Sequence, residues 1–320
     1  MKINDAIIGN TGFVGGNLLR QHGFSATYNS TTIDQSAGTS VDTLVCAAAP
    51  GSMVEANADP DRDAARINAL CRSLSQINAK RFVLISSIAV FLDFAGQDDE
   101  GSTAYQTKLA YGRNRRQLEV FCQAHFTDCL ILRLPALYGS GLKKNFLFDL
   151  LNPAPTLLNT DKMQHLSDAL PGSEAEQIRQ FYTLDTESGF YRIDRTAFNT
   201  SAHRAGMETA LAACDTTALQ FTHKDTRFQY YGLDRLWADI NRAFEAGLGL
   251  LNLATEPLCA ADIYRAVTGD EMPNTQARLH REDMQTRHAG LWGQSGPYIE
   301  PSRDVLRRVT DFYAREKAAL

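Results

Sequence analysis

The sequence predicts an α/β protein: a doubly wound parallel sheet carrying a smaller, discontinuous α/β part. Three observations predict it. A strand, a glycine turn and a helix follow one another at the N-terminus. Apolar runs of strand length then alternate with amphipathic helical stretches through the first 140 or so residues. Beyond about residue 150 that rhythm gives way to short apolar clusters and polar linkers, and returns only near residue 223.

The 320 residues are 44% hydrophobic and 22% charged, an ordinary balance for a globular chain. The net charge of -5 is scattered. It speaks against a nucleic-acid partner and offers no polybasic membrane patch. The start, MKINDAIIGNTGFVGG, has no cleavable signal pattern, because Asp5 interrupts it and glycines follow. No apolar run is long enough to span a bilayer. Cysteines at 46, 71, 122, 129, 214 and 259 form no C-x-x-C pair, and the seven histidines form no H-x-x-x-H. The expectation is a cytoplasmic protein with reduced thiols and no metal.

The first element is a strand over Ala6 to Ile8, followed by a turn made of Gly9, Asn10, Thr11, Gly12, Phe13, Val14 and Gly15 and a helix through Leu18 and Leu19. Gly9 suits the tight turn, Gly12 the close approach of a pyrophosphate, and Gly15 the packing of helix on strand. The helix start offers N–H groups and a positive dipole end to phosphates. A second strand fits FSATYNS, and a third VDTLVCAAAP. Residues 61–79 carry a helical stripe of Ala65, Ile67, Leu70, Leu74 and Ile77. A fourth strand runs from Arg81 to about Ser86, a helix includes QLEVFCQAHF, and a further strand lies in CLILRLPALYG. Such alternation implies a Rossmann-like sheet with ligands beyond the carboxyl ends of its strands.

The pieces GNTGFVG, DTLVCAAA, RFVLISSIAVF, YGRNRRQLE, LRLPALYGSG and TRFQYYGLDRLWADINRAF with LLNLATEP occur in the order of a known family. The chain resembles the extended short-chain dehydrogenase/reductases, the NAD(P)-dependent epimerase/dehydratase branch. The resemblance covers about two-thirds of the chain. It implies a catalytic trio of Ser87, Tyr111 and Arg115, with arginine where the family has lysine. Tyr111 would exchange a proton with substrate, and Ser87 would hydrogen-bond the reacting oxygen. A free phenol titrates near 10, so a neighbouring cation must depress it. Positions i and i+4 share a helix face, which lets Arg115 stand there. Its charge is permanent and its fork can reach ribose hydroxyls, but it cannot relay protons. Lys108 is a second cation on that side. Tyr105 is a rival phenol, but Leu109 follows it at the partner position.

The resemblance also implies cofactor contacts at Ala47 and Ala48, at Asn68, and at Asn29 and Ser30 after the second strand. No carboxylate there repels a 2'-phosphate and no Arg or Lys holds one, so the reading leans to NADP over NAD. Arg227, seven residues before Asp234, matches the segment in which the family grips a substrate diphosphate. Against a nucleotide sugar, Ala136 replaces a frequent asparagine. Ile88 and Ala89 replace the Asp-Glu pair of 4,6-dehydratases, leaving a reductase or epimerase.

The expected cofactor domain is 1–150 plus 223–256, and the expected substrate domain 151–222 plus 257–320. A helix over LDRLWADINRAFEAG ends at Gly247, with LLNLA a strand after it. The tail helix has Ser302 as N-cap and Val305, Leu306, Val309, Phe312 and Tyr313 as its buried face. Arg192, Arg195, His203 and Arg287 to Gly293 either line a substrate cleft or serve surface and packing roles. Two functional classes follow: an enzyme acting on a small-molecule sugar, or a catalytically inactive dinucleotide-binding regulator or scaffold. Homodimerisation is a habit of the family.

Overall fold

The structure is a computed structural model and describes residues 3–170, 172–186 and 189–320. Contacts divide the chain into two units: residues 1–142, 227–258 and 281–309, and residues 143–226, 259–280 and 310–320.

The first unit holds a six-stranded sheet. Its strands are β1 (Ile3–Ile8), β2 (Ala26–Tyr28), β3 (Ser40–Cys46), β4 (Asn78–Ser87), β5 (Cys129–Leu134) and the strand Leu250–Asn252. They lie in the order β2, β1, β3, β4, β5 and Leu250–Asn252, and every pairing is parallel. Strand alternation explains the two covered faces. Ala6 and Ile8 of β1 join Leu44, Phe82 and Leu84 against Ile67, Leu74 and Leu118. Ile7 joins Val45, Val83 and Leu132 against Leu18, Leu236 and Ile240. One face is thus packed by α3 (Pro60–Leu74), which follows the short α2 (Met53–Ala58), and by α4 (Ala110–His125), the other by α1 (Phe13–Leu19) and the helix Leu236–Glu245.

The strand order reverses at β1, which has β2 on one side and β3 on the other. Residues 29–39 between β2 and β3 hold one 3-10 turn, Ile33–Ser36. A connection this short has no room for a further strand and helix, so β2 forms the edge. The switch point lies between β1 and β3, and their carboxyl ends are Ile8 and Cys46.

Two helical expectations need adjustment. The stripe residue Ala65 is exposed and Asp63 takes the buried place, while Ile77 lies past the helix end. Ser302 is the first residue of its helix and not the cap; its N–H donates to Glu256 at 2.6 Å. Of the tail's expected apolar face, Val305, Val309 and Phe312 are buried, and Leu306 and Tyr313 only partly.

Residues 281–309 sit in the first unit, since Gln229 holds both backbone groups of Met284 and Glu100 accepts from Thr286 and Arg287. The second unit combines helices with an antiparallel sheet, Leu157–Leu158, Phe190–Ile193 and Tyr182–Asp185, around Leu158, Met163, Ile178, Phe198 and Leu211. Among the described residues no helix is long and apolar enough to cross a membrane. Nor do they include a group of three or more His, Cys, Asp or Glu able to hold a metal.

Candidate active site

The glycine turn is built by close backbone approach. Gly9 has φ +92°, and a Cβ there would fall 2.4 Å from the Ala47 carbonyl oxygen. A Cβ on Gly15 would fall 2.1 Å from the Gly9 carbonyl oxygen, so only glycine lets α1 start tight against β1. Gly12 caps α1 with no side-chain hydrogen bond, leaving its first N–H groups without a side-chain partner. Beside them Asn10 Oδ1 is buried and unpaired. The bare N–H groups at the start of α1 therefore fit a dinucleotide pyrophosphate, with the backbone of Ala47 close against the turn at Gly9.

After Tyr28 the chain turns on Asn29. Its Oδ1 accepts from Thr31 N–H at 2.9 Å, from the Thr31 hydroxyl at 2.7 Å and from the Thr32 hydroxyl at 3.3 Å. That acceptor is used within the turn, so the amide –NH2 is the group left for a ligand. Ser30 is exposed beside it.

The trio assembles at the end of β4. Ser87 closes the strand, and its hydroxyl, which accepts from Ala89 N–H at 3.2 Å, lies beside the Tyr111 phenol. Tyr111 lies in the first turn of α4, with its N–H held by Asn57 at 3.0 Å. Gly112 makes this approach possible, since a Cβ there would fall 1.9 Å from the Ala89 carbonyl oxygen.

Arg115 behaves differently from the expectation of a cation reaching ribose hydroxyls. Its guanidinium carbon sits over the Tyr111 ring, 4.0 Å from the centroid. One nitrogen pairs with Asp63 and the other donates to the Pro50 carbonyl, with Arg115 2% and Asp63 4% exposed. Asn114 adds a 2.8 Å bond to the same carboxylate, and Arg115 Nε is buried without a partner. The phenol is accordingly not depressed. Burial pushes its pKa up, Arg115 and Ser87 pull it down by less, and Asp63 adds to the rise. Lys108 is exposed and precedes the helix.

Other candidates stand apart. Asn68 is exposed on α3 and accepts from Gln117 at 3.1 Å. Arg227 is exposed in the first unit, while Asp234 pairs with Arg308 at 2.8 Å. Arg287 pairs with Asp99 and Trp292 donates to Asp239, both packing roles. Arg195 donates to the Ala154 carbonyl, and Arg192 and His203 are exposed. Tyr105 stacks with Phe91 and lies under Arg116. The sequence reading missed Asp63, Asn57, Asn114 and Gly112. Asp63 had a signal, a carboxylate one turn before Ile67 on an otherwise apolar stripe.

A parallel sheet with its strand order reversed at a glycine turn defines a Rossmann-like α/β protein. The model of the NAD dependent epimerase/dehydratase family matches residues 24–181. No curated protein matches the sequence. Solved structures share the fold. A dTDP-4-dehydrorhamnose reductase from Clostridium acetobutylicum is 13% identical with a TM-score of 0.58, over 98% of this chain and 100% of that one. RMD from Pseudomonas aeruginosa, complexed with NADPH, is 14% identical with a TM-score of 0.61, over 99% and 100%. A UDP-glucuronic acid 4-epimerase variant from Bacillus cereus, solved with NAD and a fluorinated UDP-sugar, is 12% identical with a TM-score of 0.59, over 99% and 100%.

Proposed function

We propose that this protein is an NAD(P)-dependent oxidoreductase or epimerase that acts on a sugar, nucleotide-linked, with Tyr111 as acid/base. The observation that carries the reading is the Ser87 hydroxyl against the Tyr111 phenol at the carboxyl end of the sheet. The match to an NAD dependent family supports it. So do neighbours of the same fold that are named as reductases and epimerases of nucleotide sugars.

In this reading Gly9 to Gly15, Ala47 and Ala48 hold the dinucleotide, and the bound nicotinamide supplies or accepts hydride. Ser87 fixes the substrate oxygen by hydrogen bonding, and Tyr111 gives that oxygen its proton or takes it. A phenol with a raised pKa enters protonated at neutral pH, which favours proton donation and carbonyl reduction. Asn29, with a donor rather than an acceptor to offer, supports the lean to NADP. Arg227 is free to take a substrate diphosphate. Ile88 and Ala89 carry no acid or base, which supports a reductase or epimerase over a 4,6-dehydratase. The chain's first unit serves the cofactor and its second the substrate, as a cytoplasmic enzyme.

The enclosure of Arg115 by Asp63 favours a second reading, an inactive dinucleotide-binding regulator or scaffold. Fluorescence titration with NADPH and NADH, followed by turnover of nucleotide-linked sugars and ketosugars, separates the two. The enzyme binds one cofactor, and Tyr111→Phe cuts its rate by about 10²–10⁴ while binding persists. A binding protein takes the cofactor, turns nothing over and does not respond to Tyr111→Phe. Failure to bind either cofactor ends both readings.

A further inference from the structure

Asp63 stands alone among the polar residues of its helix face. The buried positions of α3 are Asp63, Ile67, Leu70 and Leu74. A carboxylate in such a place is retained only when it is paired and hydrogen-bonded. Here it meets Arg115 and Asn114, both from α4 and both buried. Arg115 in turn commits its terminal nitrogens to Asp63 and the Pro50 carbonyl, and sits over the Tyr111 ring. A guanidinium so anchored is held beside the phenol, whose pKa it lowers, and its field is partly cancelled by the carboxylate behind it. The charged groups facing Tyr111 are Arg115 from its own helix and Asp63 from α3. The helix Met53–Ala58 contributes the uncharged Asn57 and β4 the hydroxyl of Ser87.

We propose that Asp63 is a positioning residue that acts through Arg115: it holds the guanidinium over the Tyr111 ring, keeps the phenol beside Ser87, and limits how much of the cation's field the phenol feels. The inference rests on the reading of Tyr111 as the acid/base. In consequence Arg115 works as a clamp joining α3, α4 and the loop that follows β3. The carboxylate's contribution to the raised phenol pKa agrees with this geometry.

The test is Asp63→Asn in the full chain, which keeps the shape of the side chain and removes its charge. Carbon-13 labelling of the tyrosine ring reports ionisation, with Tyr111 assigned by its loss in Tyr111→Phe. The expected result is that Tyr111 ionises at lower pH in Asp63→Asn than in the unaltered protein. A crystal structure of that variant is expected to show the guanidinium displaced from the ring. No earlier ionisation, or a guanidinium still stacked, overturns the proposal. If Asp63→Asn does not fold, the neutral pair Asp63→Asn with Arg115→Gln replaces it. There the Ser87–Tyr111 contact is expected to be lost, and its persistence overturns the proposal. Neither readout needs cofactor or substrate. A failed NADPH and NADH titration therefore sinks the enzyme reading without being mistaken for a failure of Asp63.

Discussion

At the scale of single residues, the site depends on absent side chains as much as on present ones. Gly112 adjoins Tyr111, and α4 can meet the Ala89 carbonyl only because no Cβ intervenes. Gly112→Ala forces backbone against backbone. The expected cost is about 1–3 kcal/mol of stability, the range for overpacking, together with loss of the Ser87–Tyr111 contact. Thermal unfolding and a crystal structure check the two parts. A variant as stable as the parent, with Tyr111 still on Ser87, refutes the account. Arg115 shows the other side of residue-level reading. Its charge could be read from its letter, but its partners could not. The Asp63 that engages it is 52 positions away in sequence.

At the scale of elements, α4 is tied to the sheet by a second buried charge cluster one turn beyond Arg115. Glu119 accepts from Arg133 of β5 at 2.9 and 2.7 Å, from Ser86 of β4 at 2.6 Å and from Arg116 at 2.8 Å. Glu119 and Arg133 are fully buried, with Arg133 also lying over Phe91 and Tyr105. Ser86 and Ser87 are neighbours with separate tasks. The first anchors β4 to α4, and the second faces Tyr111. Removing Glu119 leaves an uncompensated buried guanidinium, so Glu119→Ala is expected to lose about 3–5 kcal/mol. Replacing both members by apolar residues of similar volume, Glu119→Leu with Arg133→Met, is expected to lose far less. Urea unfolding of the two variants checks this, and equal losses contradict it.

Over the whole molecule, buried tyrosines set a common limit at alkaline pH. Burial holds the pKa values of Tyr138 and Tyr231 above the ordinary phenol value. Tyr231 is fully buried and donates to Asp239 at 2.7 Å. Their raised values favour the protonated, folded state. The stability they contribute is complete below the unfolded pKa near 10 and is lost as pH climbs toward the folded values. Each is expected to steepen the alkaline decline by up to about 1.4 kcal/mol per pH unit above that point. Denaturant unfolding from about pH 8 to about pH 11 checks it, with Tyr231→Phe giving a shallower decline than its parent.

The sequence alone determined the fold class, because hydrophobic period and glycine spacing are local signals. A strand buried on both faces must be apolar, a turn with left-handed φ at Gly9 calls for glycine, and both show in the letters. It also named Ser87 and Tyr111, which the tertiary structure joins. The structure decided what the letters could not carry. The order of the strands depends on which edges find each other. The burial of Asp63 and Glu119 depends on α4 packing against α3 and the sheet. The work left to Arg115 follows from that packing, because a charge's effect is set by the partners around it in space and not by its neighbours along the chain.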